Sequence, residues 1–305
     1  MTGDRHRSSG VRQSMLDQIT PVILTYNEAP NIGRTLARLA WARDIVVVDS
    51  FSDDETLAIV NRTPQVRVFQ REFDCHKNQW NFALKETGVT SSWVLALDAD
   101  YVLTPGLVEE LRKLEPDRET AGYRVRFVYC VSGRPLRGSA YPPVTVLYDR
   151  ESASYDQDGH TQRVMVEGEV LDLRAPILHD DRKSLEHWLR SQARYMKLEG
   201  NKLAAADWRD LGWADRLRKM RIIAPFAILF YCLFARGAIL DGRAGIYYAF
   251  QRLLSESILS LYLIEASFGV EERLDPDRAE NIVEGSERDN TTELGRGLRV
   301  DQLNL

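Results

Sequence analysis

The chain has 305 residues, 44% of them apolar and 28% charged, and a formal net charge of −5. That length can bury a large core in one large domain or two small ones, and the acidic balance argues against a nucleic-acid protein working through a strongly basic surface. The three cysteines, Cys75, Cys130 and Cys232, lie far apart with no Cys-x-x-Cys pair, which indicates neither a disulfide framework nor a cysteine zinc site and makes a reducing cytoplasm the simplest compartment.

Residues 1–18 are polar, carry Arg5, Arg7 and Arg12 without the apolar core of a secretory signal, and read as a flexible lead-in. Residues 19–24 form a short apolar strand. The polar loop 25–28 follows it, and Pro30 opens a helical pattern of Ile32, Leu36, Leu39 and Ala40. A second strand, 45–48, ends in the polar run 49–55. Leu57, Ile59 and Val60 then continue as a short helix that Ser52 or Asp53 can cap, because their oxygens accept the free amides of a first turn. Residues 66–69 make a third strand and 77–86 a third helix. The run from Ser92 to Leu97 lacks polar alternation, as a strand buried on both faces of a parallel sheet does. It ends in two carboxylates one residue apart, Asp98 and Asp100.

Four such alternations imply a mostly parallel, doubly wound α/β sheet with right-handed crossovers. Ligands of open α/β sheets bind outside the carboxyl ends of the strands. Asp98 and Asp100 would emerge there as hard oxygen donors, suited to Mg²⁺ or Mn²⁺ shared with substrate phosphates, with a solvated turn as the plain alternative. No Gly-x-Gly-x-x-Gly follows the first strand and no Gly-x-x-x-x-Gly-Lys-Ser/Thr occurs, which disfavours dinucleotide and P-loop enzymes.

Beyond a helix at 106–114, residues 123–129 alternate as a half-exposed strand, 133–138 turn, and 144–148 form another strand. Arg134 and Arg137 are either anion-binding or ordinary surface residues. The stretch 156–162 is dense in functional groups and precedes a predicted hairpin, 164–166 with 170–178, ending at the polar run 179–183. From Ser184 the chain is helical, with apolar residues at packing spacing. Five cations, Arg209, Arg216, Arg218, Lys219 and Arg221, precede the apolar run 222–235, whose 14 residues include Pro225. A span needs about 20 residues, so this run is expected to be a buried helix or one lying at the interface of an anionic membrane. Residues 271–305 read as a polar tail.

Together, the loop Thr25 to Glu28, the run Val46 to Asp54 that contains Asp49 and Ser52, the pair Gln79 and Asn81, and Leu97 to Asp100 resemble a family 2 glycosyltransferase of the GT-A fold. The likeness is closest to the bacterial branch that includes lipopolysaccharide core glucosyltransferases, and it is strong over 19–107. It implies a GT-A-type doubly wound mixed sheet at 19–183, with a nucleotide-binding half at 19–114 and an acceptor half at 115–183. A helical, membrane-associated region at 184–270 would follow.

The resemblance also implies roles. Thr25, Asn27 and Glu28 would line the base and ribose of a sugar nucleotide, and Asp49 and Ser52 would meet the uracil edge or nearby ribose groups. Gln79 and Asn81 would face the nucleotide side, with Lys77 either near phosphate or on a solvated face. Asp98 would lie toward ribose and metal, and Asp100 would bind the metal. Tyr101 stands where many relatives carry Glu. His179 matches a late histidine that completes metal coordination. Thr161 replaces an expected Glu base, which moves that role to Asp158 or His160.

The expected function is an inverting glycosyltransferase dependent on Mn²⁺ or Mg²⁺, moving a sugar from a nucleotide diphosphate, a UDP-sugar first, to a hydroxyl of a glycolipid or cell-envelope glycan. Its expected setting is cytoplasmic, peripheral on the inner face of the cell membrane. A homo-oligomer is compatible with these features. The alternatives are a nucleotidyltransferase, or a non-catalytic sugar-nucleotide or membrane-binding protein.

Overall fold

The computed structural model describes residues 14–139, 141–158 and 161–268. The chain divides into two compact units, Met1–Leu263 and Ile264–Leu305, and only 264–268 of the second lies among the described residues.

The elements run β1 (Ile19–Thr25), α1 (Ile32–Ala37), β2 (Ile45–Asp49), α2 (Thr56–Val60), β3 (Val66–Gln70), α3 (His76–Lys85), β4 (Trp93–Asp98) and β5 (Tyr101–Leu103). Next come α4 (Pro105–Arg112), β6 (Thr120–Val125), β7 (Phe127–Val131), β8 (Arg134–Pro135), β9 (Val144–Asp149), β10 (Ala153–Asp158), β11 (Thr161–Val166), β12 (Glu169–Asp172) and β13 (Ile177–His179). The helical part holds α5 (Leu185–Ala205), α6 (Trp213–Lys219), α7 (Ile223–Phe230) with a π turn Tyr231–Ala235, a 3₁₀ turn Ala238–Asp241, and α8 (Gly242–Ser267).

The main sheet has seven strands in the order β12-β6-β9-β4-β1-β2-β3. β4, β1, β2 and β3 run parallel, whereas β9 is antiparallel to both β4 and β6. This is the expected mixed sheet, and period-2 alternation explains its two cores. Ile45, Val47, Leu95 and Leu97 face one layer with α1 and α4, while Val46, Val48, Val94 and Ala96 face another with Trp80, Ala83 and Leu84 of α3. Helices on both faces make the sheet doubly wound. From β1 the chain winds outward through β2 and β3, then crosses back to β4 on the other flank of β1. The switch point of the sheet therefore lies between β1 and β4.

Three expectations are corrected. The hairpin is β10 with β11, Asp158 facing Thr161, not 164–166 with 170–178. Tyr155 anchors it by stacking on Trp80 at 5.2 Å and sharing a 2.8 Å hydroxyl bond with Tyr148. Gly168, at φ 135°, then sends the chain to pair β12 with β6, a conformation that L side chains avoid. Second, the alternating run 123–129 breaks at Arg126, and β7 joins a separate four-stranded sheet, β5-β13-β7-β8. Third, the first turn of α2 is met by Asp54, whose Oδ1 accepts the Thr56 amide at 2.8 Å, because Ser52 is engaged elsewhere.

The helices form their own small cores. Gly200 of α5 lets Tyr262 of α8 approach, and the Ser255 hydroxyl donates to Gln192 Oε1 at 2.9 Å. Arg218 of α6 pairs with Glu256 at 2.9 Å and Asp215 at 3.2 Å. The joint to the sheet unit is tight: Asp241 accepts the amides of Arg137 and Gly138 at 2.9 and 3.2 Å, and Arg236 donates to the Ser139 carbonyl at 2.6 Å. Among the described residues no single helix is long and apolar enough to cross a membrane. α7 with its π turn and the helical stretch after it meet at a 68° bend and reach that length and composition only as a pair.

Candidate active site

The carboxyl edge of three adjacent parallel strands brings the predicted residues together. Asp98 ends β4 beside Leu24 of β1, and Thr25 at the end of β1 sits beside Asp49 at the end of β2. Asp49 is fully buried and accepts from the Thr25 hydroxyl at 3.0 Å, the Ser52 amide at 2.8 Å and the Ser52 hydroxyl at 2.6 Å. The Asn27 amide donates to Ser52 Oγ at 2.9 Å, and Asn27 Oδ1 accepts the Asp53 amide at 3.0 Å. Both loop crests are strained: Asn27 has φ 53° and Phe51 φ 59°, unusual for residues with a Cβ and typical of binding loops held by their surroundings.

Gln79 joins from α3. Its Nε2 donates to Ser50 Oγ at 3.0 Å and its Oε1 accepts from Arg71 at 2.6 Å. Asn81 lies outside this network, because its amide clamps β10 through the Tyr155 carbonyl at 3.3 Å and amide at 3.4 Å. Lys77 pairs with Asp156 at 2.8 Å on the surface. Arg137 pairs with Asp241 at 3.7 Å, and Arg134 is exposed on β8. Of the candidate bases, Asp158 closes β10, its side chain and all of His160 lying outside the described residues.

His179 ends β13 between Tyr101 of β5 and Tyr129 of β7. Its Nε2 lies 3.0 Å from Asp100 Oδ2, and Tyr101, Tyr129 and Tyr141 surround the ring edge to face at 4.9 to 5.2 Å. Asp100 and His179 keep 14% and 18% of their side-chain surface exposed, enough for a ligand to reach them. Burial pushes the Asp98 carboxyl up to about 6, and the charge of Asp100 adds to this. Burial works against the charged form of Asp100 too, but the His179 imidazole outweighs it and holds Asp100 below the ordinary range. Burial opposes charging of His179, and Asp100 overcomes it, raising the imidazole.

A divalent cation fits this donor chemistry only as a shared ligand. Among the described residues no three His, Cys, Asp or Glu side chains are grouped to hold a metal by themselves. His179 turns its Nε2 to Asp100 and leaves Nδ1 buried without a partner. Asp98 and Asp100 still supply the one or two carboxylates that Mg²⁺ usually takes from a protein when phosphates complete its shell.

Sequence reasoning missed the second wall. Lys183 reaches across 155 residues to pair with Glu28, which burial lifts to about 7 against the pull of that ammonium. Fully buried Asn31 stitches the two segments: it donates to Glu28 at 2.8 Å and Asp181 at 2.9 Å, and accepts the Arg182 amide at 2.8 Å. Asp180 accepts from Gly133 and both arms of Arg182. The available signal was the run of polar residues after β13, the same sign that marked the ends of β1, β2 and β4. Tyr26 and Phe51, half exposed on the loops after β1 and β2, were missed as well.

Of two cavities among the described residues, one adjoins this chemistry. The larger, about 860 Å³, opens near Trp93 and Gly168, at the amino-terminal end of β4 and away from the carboxylates. The smaller, about 320 Å³, adjoins Asp181, Lys183 and Tyr129.

A mixed, doubly wound sheet with acidic and amide side chains collected at its switch point defines an α/β domain with a candidate site at the carboxyl ends of its strands. Residues 20–159 match the family described as Glycosyl transferase family 2, so the chain carries a family 2 glycosyltransferase domain. Over a longer stretch it is similar to the lipopolysaccharide core biosynthesis glycosyltransferase LpsC of Rhizobium meliloti, at 25% identity over 280 residues, 84% of this chain and 97% of that protein. An uncharacterized glycosyltransferase of Rickettsia conorii is 27% identical over 152 residues, 48% of this chain and 52% of the relative. The chain thus spans about half the length of the Rickettsia relatives it matches. The crystal structure of S. aureus TarS 1–349 in complex with UDP-GlcNAc aligns at 15% identity and TM-score 0.44, over 82% of this chain and 92% of that one.

Proposed function

We propose that this chain is an inverting, metal-dependent glycosyltransferase that moves a sugar from a UDP-sugar to a hydroxyl of a glycolipid or cell-envelope glycan. The observation that carries the reading is the collection of Thr25, Asp49 and Asp98 along neighbouring strand ends at the switch point, with Asp100 and His179 beside them.

In this reading Thr25, Asn27, Asp49, Ser52 and Gln79 hold the nucleoside, with Glu28 fixing the loop through Lys183. Asn81 supports the site by holding the hairpin. Asp98 and Asp100 would hold Mn²⁺ or Mg²⁺, which when bound neutralises charge on the departing diphosphate, with His179 keeping Asp100 ionised. Lys183, whose ammonium faces Asp100 and Asp181 as well as Glu28, adds fixed positive charge on the diphosphate side. The base is placed at Asp158 or His160. Replacing Asp158 by Asn should lower kcat about 100-fold while donor affinity holds; if only His160→Ala does so, the role belongs to the histidine.

The domain division at 183/184 and a cytoplasmic, membrane-peripheral setting belong to the same proposal. Phe226, Phe230 and Phe234, at helical spacing, expose 61%, 64% and 60% of their surface, while Ile228, Leu229 and Leu233 pack inward. One apolar face is thus packed on the protein and the other is left for a lipid surface. Arg209 and Arg221 are exposed beside it, whereas Arg218 is drawn into the Glu256 pair and is not free for lipid phosphate. The deciding experiment incubates the full chain with a panel of labelled nucleotide sugars and Mn²⁺, with and without lipid extract. Release or transfer of one sugar that disappears in Asp100→Ala is expected; no turnover of any donor would remove the enzyme reading.

A further inference from the structure

The cavity of about 320 Å³ beside the candidate site is built by two parts of the chain. Tyr129 of β7 and the segment with Asp181 and Lys183 form its inner side. Trp188 of α5, with Tyr247 and Gln251 of α8, forms its outer side. Trp188, Tyr247 and Gln251 all lie outside the matched segment 20–159.

Its position relative to the reacting groups is set by contacts already described. The Tyr129 ring lies 4.9 Å from that of His179, which touches Asp100 at 3.0 Å. On the other side Tyr129 lies 5.0 Å from the Tyr248 ring of α8, so one tyrosine separates the carboxylate site from the helices. A group seated in the cleft against Tyr129 is therefore separated from Asp100 by the Tyr129 and His179 rings.

The lining chemistry selects the occupant. A pyranose presents an apolar C–H face and a rim of hydroxyls. Trp188 and the tyrosines offer aromatic surface for the first, and the Gln251 amide and the Asp181 carboxylate offer donors and acceptors for the second. A concave site of a few hundred Å³ with aromatic walls and few convergent polar groups has the build of a small-ligand pocket. From Tyr247 outward the same side of α8 carries Phe250 and Leu254, at i+3 and i+7, both exposed. An apolar aglycone leaving the cleft would lie on that stripe.

We infer that this cleft is the acceptor subsite, and that it takes the terminal pyranoside of an acceptor carrying an apolar aglycone. This rests on the glycosyltransferase reading and deepens it: the helical region would serve acceptor binding as well as attachment.

The test uses the full chain, isothermal titration, and a panel of n-octyl pyranosides of glucose, galactose, mannose and N-acetylglucosamine below their micelle concentrations. n-Octanol and the matching methyl glycosides serve as comparison arms. At least one octyl glycoside should bind, more tightly than its methyl counterpart and than octanol. Trp188→Ala should weaken it about tenfold, the order of a lost aromatic contact, and Trp188→Phe should restore binding to within about twofold, which excludes simple misfolding. Gln251→Ala should weaken octyl and methyl glycosides alike. Octanol binding as well as every glycoside, no panel member binding, or indifference to Trp188→Ala would each overturn the assignment. UDP titrated with Mn²⁺ in parallel separates the two layers. Normal UDP affinity with a failed cleft removes only the subsite, whereas absent UDP binding removes the reading beneath it.

Discussion

The carboxyl end of the main sheet and the outer face of α6 to α8 break the ordinary division of polar outside and apolar inside in opposite directions. Around the strand ends, three buried polar side chains each find their own partners: Asp49 bonds Thr25 and Ser52, Asn31 bonds Glu28 and Asp181, and Gln79 bonds Ser50 and Arg71. On the helices, Phe226, Phe230 and Phe234 stand in the open. Buried polar groups must find partners, so the first region is a closed network whose geometry is over-determined before any ligand arrives. Exposed apolar groups have no such obligation, and their arrangement becomes meaningful through what covers them. The contrast teaches that the strand-end region is preorganised by the chain itself, whereas the exposed phenylalanine stripe takes its role in the proposal from what would cover it.

The largest expected effect tests the polar side. Asp100→Ala should lower transfer by about 1,000-fold and abolish metal-dependent nucleotide binding, because it removes one of two carboxylates and leaves the diphosphate uncompensated. Asp100→Asn should be nearly as damaging, and unchanged turnover at saturating Mn²⁺ would sink the metal assignment.

Next comes the framework of the helices. Arg218→Ala should cost about 3 kcal/mol in urea unfolding, because buried Glu256 loses its hydrogen-bonded partner and keeps only Arg252 at 3.8 Å, while UDP affinity in the folded protein stays the same. An equal loss of UDP affinity would show that the two regions are not separable.

Smaller again is the apolar face. Phe226→Ser with Phe230→Ser should weaken sedimentation with anionic vesicles about tenfold, leave the melting temperature within a few degrees, and leave the UDP affinity untouched. A marked loss of stability instead would mean that these rings pack against protein, and equal binding to neutral vesicles would remove the part played by Arg209 and Arg221.

The smallest effect is electrostatic. Glu28 titrates at about 7 in the folded chain against 4.5 for an ordinary glutamate. Its raised value means stability that is fully present below 4.5, falls as pH rises, and is gone above about 7. Wild type should therefore lose stability relative to Glu28→Gln between pH 5 and pH 7.5 in paired thermal melts. A gap that moves the other way would mean that Lys183 governs the pair and Glu28 is ionised throughout.

Much of the sheet was legible because its signals are local. Apolar runs with abrupt polar ends located β1, β2, β3 and β4; the carboxyl-end rule then pointed to Asp98 and Asp100, and the family resemblance pointed to Thr25 and Asp49. The Glu28–Lys183 pair was not legible, since partners 155 residues apart leave no periodic trace. β12 was misassigned because Val170 to Leu178, with Asp172 and Arg174 as its only charged residues, reads as one strand. Pro176, which has no amide to donate, lies in the break between β12 and β13. The apolar stretch 222–235 was located but its faces were not, because residues apolar all round a helix carry no phase. The fate of Arg218 was hidden for a related reason: a cation in a basic run looks the same whether it meets solvent or a buried Glu256.

The joint at the 3₁₀ turn before α8 has a consequence for reach. A Cβ on Gly245 would lie 1.8 Å from the Ala238 carbonyl oxygen, and one on Gly138 would lie 2.6 Å from the Ala238 amide, so backbone meets backbone on both sides of that turn. Such a contact leaves no room for a side chain between the two backbones. If the phenylalanine face rests on a bilayer and this joint stays closed, Asp98 and Asp100 are held at one height above it. The molecule would then act as a gauge, accepting chains whose reacting hydroxyl stands at that height and passing over those that are one sugar too short or too long.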